Sequence, residues 1–350
     1  MEQKPKISLQ QIADELNVSR ITVSKVINNK EGVSEDTRRR VARKLVEYDY
    51  KKINRDILRL AHQTDNSNPI VRNNIAVIAT EPDFSDFWLK IINGIANEVS
   101  SKGYNFVYHF ITRTEETNFS MPKSILDHSV CGIIVINVYN NAAISALSNS
   151  GIPVVFLDIT PDKFQEGLAA DVVLLEGERV IRSITESIIR RGRKALGFIG
   201  DITYAQTMYD RYRGFESACR AHEIPIRPDF CLTDSKRGHF YFQDEVRQFV
   251  DSLTELPEGF VCANDVTAYT VISCLRERGL SVPEDLAVSG YDNIKASILT
   301  ASELTTVAVE TADLGKRLAQ QLLRQLESPI SFHEVVYIQP QVIYKRSTEF

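Results

Sequence analysis

The 350-residue chain is poor in the residues that most often advertise chemistry, with one tryptophan, three methionines, five cysteines and six histidines. Cys131, Cys219, Cys231, Cys262 and Cys274 are odd in number and scattered, with no CxxC pair. That usage excludes a disulfide scaffold and a thiolate zinc site, and suits a reducing cytosol. The histidines lack metal-ligand spacing, no HExxH occurs, and no GxGxxG or GxxxxGK follows a strand. No metal, no cofactor and no catalytic residue is expected, and the chain reads as a non-enzyme. No apolar run reaches the ~18 residues of a membrane span, and residues 1–30 contain no apolar signal segment, so a cytoplasmic protein away from the membrane is expected.

Charge, in contrast, is abundant and unevenly placed. The net charge is −5, yet residues 1–60 hold 14 Lys/Arg against 9 Asp/Glu. The basic character belongs to one end, which suggests a partner of negative charge there. The length and the 43% apolar content provide for two or three domains with sizeable cores.

The basic end reads as three short helices. Ser8 followed by Gln11 is a capping-box pattern, after which Leu9, Ile12, Ala13 and Leu16 share a face. Ser19 caps a second helix with Val23, Val26 and Ile27 inward, and Ser34 caps a third with Val41 and Leu45 inward. Helices this short must pack on one another. A helix, a tight turn and a second short helix, together basic, match the helix-turn-helix that lays its second helix in the major groove. Ser19, Arg20, Ile21, Thr22, Ser24, Lys25 and Asn28 are the outward candidates for contact with double-stranded DNA. Arg20 and Lys25 suit guanine edges, Ile21 a thymine methyl, and Thr22 or Ser24 a phosphate. The cluster Arg38-Arg39-Arg40, with Arg43 and Lys44, is expected to add phosphate attraction. A solvated charged face on a small docking module is the alternative.

The run from Ile7 to Asn28 and the following Val33-Ser-Glu-Asp-Thr-Arg-Arg-Arg-Val41 resemble the DNA-binding head of the lac/gal (LacI/GalR-type) repressor family of bacterial transcription regulators. The resemblance implies a homodimer whose two heads read a roughly palindromic operator, with Arg20, Ile21 and Lys25 at base-reading positions. In similar proteins a Pro-Asn pair opens a short hinge helix that ends in a minor-groove leucine wedge. Here Tyr50 to Ala61 lacks the proline; Asn54 and Arg55 match the hinge start, and Leu60, with Leu58 as runner-up, matches the wedge. The expected division is a head over 1–53, a hinge and linker over 54–73, and a large region over 74–350.

The large region alternates apolar strands with helices. Strands are expected at 75–79, 104–108, 132–136 and 153–157, then in a second series at 170–174, 194–199, 259–263 and 286–289. Helices are expected near 87–101, 119–128, 141–149, 177–191, 209–222, 241–252 and 266–278. Alternation of this kind means parallel sheets covered by right-handed crossover helices. The fold class is therefore α/β with two lobes, and with the resemblance it implies a three-helix helix-turn-helix head, a hinge, and a two-lobed, periplasmic-binding-protein-like Rossmann-type domain. Crossings between lobes are expected near 158–168 and 290–309, with a ligand in the cleft beyond the strand carboxyl ends.

The same family resemblance continues through Arg211-Tyr-Arg-Gly-Phe215, Phe260-Val-Cys-Ala-Asn-Asp265 and Gly279 to Asp292, then through Leu304-Thr-Thr-Val307 and the closing Ile338 to Thr348. By that resemblance Arg211 clamps effector oxygens, Asn264 both donates and accepts, and Asp292 accepts from sugar hydroxyls. Phe87 and Trp88 match an aromatic segment that stacks on a sugar face. The plainer roles are Asp292 as a cap, Phe87 or Trp88 as core, and Arg211 as a surface ion-pair partner. The chain departs from the family in having Val173 where an aspartate is frequent and Arg193 where a histidine is usual.

The resulting expectation is a ligand-responsive repressor of carbohydrate uptake or catabolism genes, a homodimer on operator DNA with a sugar or sugar phosphate as effector, in the bacterial cytoplasm at the nucleoid. Control by a partner protein, or by a non-sugar metabolite such as a nucleobase, is the alternative. A transport solute-binding protein shares the two lobes but carries an export signal and no basic head.

Overall fold

The computed structural model describes residues 8–48, 50, 57, 73–80, 86–239, 242–294 and 303–349. The chain divides into a small compact unit within residues 1–72 and a large one that begins at Asn73.

In the small unit, α1 (Leu9–Glu15), α2 (Arg20–Ile27) and α3 (Glu35–Glu47) start where their caps dictate. Ser8 and Gln11 form the reciprocal capping box, and the Ser19 and Ser34 hydroxyls accept the Thr22 and Thr37 N–H. Ile12, Ala13, Val23, Val26, Val41, Ala42, Leu45 and Ile57 fuse into one core, so each helix is held by the other two. The hinge candidates Asn54, Arg55, Leu58 and Leu60 lie outside the described residues.

The large unit opens with a six-stranded, all-parallel sheet of β1 (Asn74–Thr80), β2 (Asn105–Ile111), β3 (Gly132–Ile136), β4 (Val154–Leu157), β5 (Asp171–Leu175) and, from far along the chain, β10 (Val335–Ile338). Its order is β10-β5-β4-β3-β1-β2, so the winding reverses at β1 and β3. The central strands are apolar on both faces because helices cover both: α4 (Asp86–Ser101), α5 (Arg113–Thr117), α6 (Lys123–Leu126), α7 (Asn141–Ser148) and α8 (Pro161–Glu166). A second parallel sheet, β6 (Leu196–Ile199), β7 (Gly259–Cys262) and β8 (Ala287–Ser289), is packed by α9 (Glu178–Arg190), α10 (Gln206–Ala221), α11 (Phe242–Ser252) and α12 (Asp265–Glu277). β9 (Thr306–Ala308) pairs antiparallel with β11 (Gln341–Ile343).

Three expectations change. Residues 170–174 read as the first strand of the second series, but β5 is hydrogen-bonded to β4 in the first sheet. The segment 158–168 is no crossing, since it holds α8; the chain leaves the first sheet at Glu176-Gly177. It returns between β9 and α13 (Thr311–Glu327) and leaves again between β10 and β11. The helix expected near 119–128 is replaced by α5 and α6, with the turn between them.

α13 returns to pack on α4, and glycine makes the crossing close: a Cβ on Gly94 would lie 2.2 Å from the Ala312 carbonyl oxygen, and one on Gly315 2.1 Å from that of Ile91. The α9–α10 crossing uses Gly214 in the same way, 2.2 Å from the Glu178 carbonyl oxygen. That contact fixes the helix carrying Arg211.

Candidate nucleic-acid interface and ligand site

On the small unit, helical periodicity turns Val23 and Val26 inward and leaves Arg20, Ile21, Ser24, Lys25 and Asn28 outward. These five, with Lys30, line an open groove of about 420 Å³. Ile21 is 69% exposed, a position that core packing does not explain. Ser19 and Thr22 play a local part, since their hydroxyls lie 2.9 Å apart and the Ser19 oxygen accepts the Thr22 N–H. Asn28 closes the helix by donating to the Ser24 carbonyl at 2.8 Å. Lys30, absent from the sequence candidates, joins the groove because the turn after α2 folds back beside it.

The expected phosphate cluster is largely engaged elsewhere. Arg38 is only 8% exposed and donates to the Asn29 side chain and to the Val33 and Lys30 carbonyls, tying down the turn between α2 and α3. Arg40 donates to the Leu16 carbonyl at 3.0 Å, and Lys44 pairs with Glu15 and Glu47. Arg38 and Arg40 hold the helices together through carbonyl groups that the turns leave without backbone donors, and Lys44 does so through the Glu15 carboxylate.

In the large unit, the second site gathers at the strand carboxyl ends. Arg211, on α10, is 3% exposed, which rules out a surface ion-pair role. Its Nη1 donates to the Ala263 carbonyl at 2.6 Å, its guanidinium carbon lies 3.5 Å from the centre of the Tyr291 ring, and its Nη2 lies 3.7 Å from Asp292 Oδ1. Its Nε is buried without a partner. Tyr291 donates in turn to the Glu176 carbonyl at 2.9 Å, where the chain leaves the first sheet. Burial pushes the Asp292 carboxyl up to about 7, against the pull of Arg211.

Asn264 stands beside Ala263 as the N-cap of α12, its Oδ1 accepting the Thr267 N–H at 2.8 Å. The neighbouring Asp265 accepts from the Thr306 hydroxyl at 2.6 Å and from the Ile294 N–H at 2.9 Å, so it organises loops and forms no acid/base pair with Asp292. Burial raises it to about 6. Arg211, Asn264 and Asp292 are thus brought together. Phe87 and Trp88 contact each other edge-on at 5.3 Å and pack against the main core from the first turn of α4.

Sequence reasoning missed the residues that join the two lobes here. Asp158, at the end of β4, accepts from the Thr207 hydroxyl, from the Thr207 N–H at 3.3 Å and from the Ile159 N–H at 2.9 Å, while the Ile159 carbonyl accepts the Gln206 N–H at 2.7 Å. The first lobe therefore caps the amino terminus of α10, a favourable place for a carboxylate. Burial nonetheless pushes Asp158 up to about 6, since Thr207, Ile159 and Arg211 offset it only in part. Beside this clasp, Tyr139 meets Tyr204 across the cleft at 4.9 Å. An aspartate after an apolar strand was the one signal present. Asp171, the nearest carboxylate to the departure at Val173, is fully buried and bonded to Gln321 and the Glu334 N–H, so it is structural.

Comparison with known proteins accords with both units. The family description "Bacterial regulatory proteins, lacI family" matches residues 8–52, and "Periplasmic binding protein-like domain" matches residues 185–348. Similar relatives include the HTH-type transcriptional repressor PurR of Pasteurella multocida (strain Pm70), 26% identical over 346 residues with 98% of each chain covered. The PurR of Haemophilus influenzae (strain PittEE) is 28% identical over 358 residues, again with 98% of each covered. Solved structures of similar fold include a transcriptional regulator CelR–cellobiose complex (TM-score 0.66, 20% identity, 98% of this chain and 100% of that one). A lac repressor dimer bound to operator and the anti-inducer ONPF also matches (TM-score 0.64, 20% identity, 99% of each). The chain thus carries a domain of the lacI family of bacterial regulatory proteins followed by a periplasmic binding protein-like domain, and is similar to PurR-type repressors over nearly its whole length.

Proposed function

We propose that the chain is a sequence-specific transcriptional repressor that binds a roughly palindromic operator as a homodimer and changes its operator affinity when a small polar metabolite enters the interlobe site. The observation that carries the DNA-binding part is the α2 face: Arg20, Ile21 and Lys25 line one open groove on a helix whose opposite face is core. Arg20 and Lys25 supply guanine-seeking donors, Ile21 an apolar contact, and the hinge with Asn54, Arg55 and Leu60 a minor-groove contact at the dimer axis.

The effector reading rests on Arg211, held as a preorganised fork opposite Asp292. A sugar or sugar phosphate fits a guanidinium beside a carboxyl acceptor, and the family resemblance adds the Asn264 amide and the Phe87 and Trp88 rings as further contacts. Control of carbohydrate genes follows from that class. A purine is the second reading, favoured by the PurR relatives aligned along almost the full chain. The mechanism is linkage: a ligand that prefers one arrangement of the two lobes biases the clasp of Asp158 on Thr207, and with it the presentation of the heads. No turnover is part of this reading.

Selection of random duplex DNA at fixed salt, with and without a pool of sugars, sugar phosphates and purines, tests it. An enriched palindrome whose retention changes with the pool supports the proposal; no enriched sequence in either arm overturns it.

A further inference from the structure

In the head, the turn after α2 folds back on the outward face of that helix. Asn29 takes a left-handed φ of +47°, the Lys30 N–H donates to the Lys25 carbonyl at 2.8 Å, and the Asn29 N–H donates to the Val26 carbonyl at 3.1 Å. Lys30 is thereby set beside Lys25 in one groove. Gly32, at φ +87°, brings bare backbone to the same place, since a Cβ there would lie 3.2 Å from the Lys25 ammonium nitrogen. Buried Arg38 then locks the turn from α3. Its three nitrogens donate to Asn29 Oδ1 at 3.1 Å, to the Val33 carbonyl at 3.3 Å and to the Lys30 carbonyl. The Lys30 side chain is exposed, and its ammonium pairs with no carboxylate among the described residues.

We propose that Lys30 anchors a phosphate of the DNA strand bordering the groove that α2 reads, and that Arg38 is its positioning residue, acting through the turn without touching DNA. This rests on α2 being the operator-reading helix. Eight residues make a helix about 12 Å long, close to the ~12 Å width of the major groove. With Arg20 and Ile21 over base edges, the chain beyond Asn28 reaches the groove wall, where the sugar–phosphate backbone runs. A helix carboxyl end by itself repels phosphate, because its carbonyls carry partial negative charge. The turn engages the Lys25 and Val26 carbonyls and places an ammonium there instead. An ammonium on a flexible stem binds phosphate as a point charge, so its placement must come from the backbone beneath it. The Arg38 fork supplies that placement by bonding to both ends of the turn and to Lys30 itself.

The test titrates the full chain with the duplex enriched by selection and with its single-base variants, between about 50 and 200 mM salt. Lys30→Ala is expected to bind roughly fivefold to tenfold more weakly for each bound head at ~0.1 M salt, by the same factor on every duplex. The slope of log affinity on log salt should become shallower by about 0.9 per head, and Lys30→Arg should keep the parent slope. Arg38→Gln is expected to show the shallower slope too, and adding Lys30→Ala to it should cost less than about twofold, because one residue acts through the other. A purely structural Arg38 would leave the Lys30→Ala penalty whole in that background. Amide exchange in α1 checks that the head stays folded, and Arg38→Lys, which keeps the charge without the fork, replaces Arg38→Gln where it does not. An unchanged slope for Lys30→Ala, a loss confined to one base pair, or a full Lys30→Ala penalty in both Arg38 backgrounds overturns the proposal. A parent that retains no duplex removes the operator-reading helix itself, whereas retention with an indifferent Lys30→Ala removes only the anchor.

Discussion

The two units solve recognition in opposite ways. The head exposes its candidate residues on a single eight-residue helix, with Ile21 69% open to solvent. The large unit buries its own: Arg211 is 3% exposed and is oriented by Ala263, Tyr291 and Asp292 from other elements. A duplex is a large, rigid, charged partner that a convex face can meet in water. A small metabolite must be surrounded, and the groups that read it must be desolvated and held in advance. Lesions in the head should therefore change operator affinity and leave ligand binding intact, whereas lesions in the cleft should do the reverse.

The largest effect is expected from Arg211→Ala. Removing one partner of a buried pair leaves the other without compensation, at roughly 3–5 kcal/mol, and the 18% exposure of Asp292 places this case near the lower bound. Loss of the ligand response in operator titrations, with ligand-free operator affinity near that of the parent, would uphold the contrast; an unchanged response would break it. Lys25→Ala is expected to weaken operator binding by about 1–3 kcal/mol, some tenfold to a hundredfold, while calorimetric ligand binding stays constant. A parallel fall in ligand affinity would show that the units do not divide the labour.

Ser19→Ala removes the side-chain acceptor of the Thr22 N–H and should destabilise the head by about 1 kcal/mol. Amide exchange would show faster opening of α1 to α3 alone; equal acceleration in α10 would argue against separate units. The smallest effect concerns pH. Asp158, Asp265 and Asp292 are raised in the folded chain to about 6, about 6 and about 7 from an ordinary 3.8. Each binds its proton more tightly folded than unfolded, so the associated stability is full below 3.8 and is lost as pH rises through 6 to 7. The large unit should melt at a lower temperature at pH 8 than at pH 5. Asp158→Asn, neutral throughout, should reduce that difference; a melting point that rises over the same interval contradicts the sign.

The same contrast explains what was legible in the sequence. Ser8, Ser19 and Ser34 cap helices within a few residues of themselves, so the head could be read from local pattern, as could most strands of the large unit. Sheet membership could not: Asp171 to Leu175 reads as a strand, but nothing local states that it pairs with β4. α13 was passed over although Leu314, Leu318 and Leu322 recur at helical spacing. The arginine run in α3 read as a phosphate-attracting cluster because the partners of Arg38, the Lys30 and Val33 carbonyls, are backbone groups with no sequence signature. In the cleft, Arg211, Asn264 and Asp292 were reached only through family resemblance. Asp158, Thr207, Tyr139 and Tyr204 become neighbours only when the two lobes fold against each other.

The most direct test of the central claim, that a buried cleft controls an exposed reading face, is operator titration at fixed salt with the selected duplex, with and without the active metabolite pool, for the parent and for Arg211→Lys. The account predicts a ligand-dependent shift in operator affinity for the parent that is lost in Arg211→Lys, because a single ammonium cannot reproduce the fork. A shift of equal size in both proteins would contradict it.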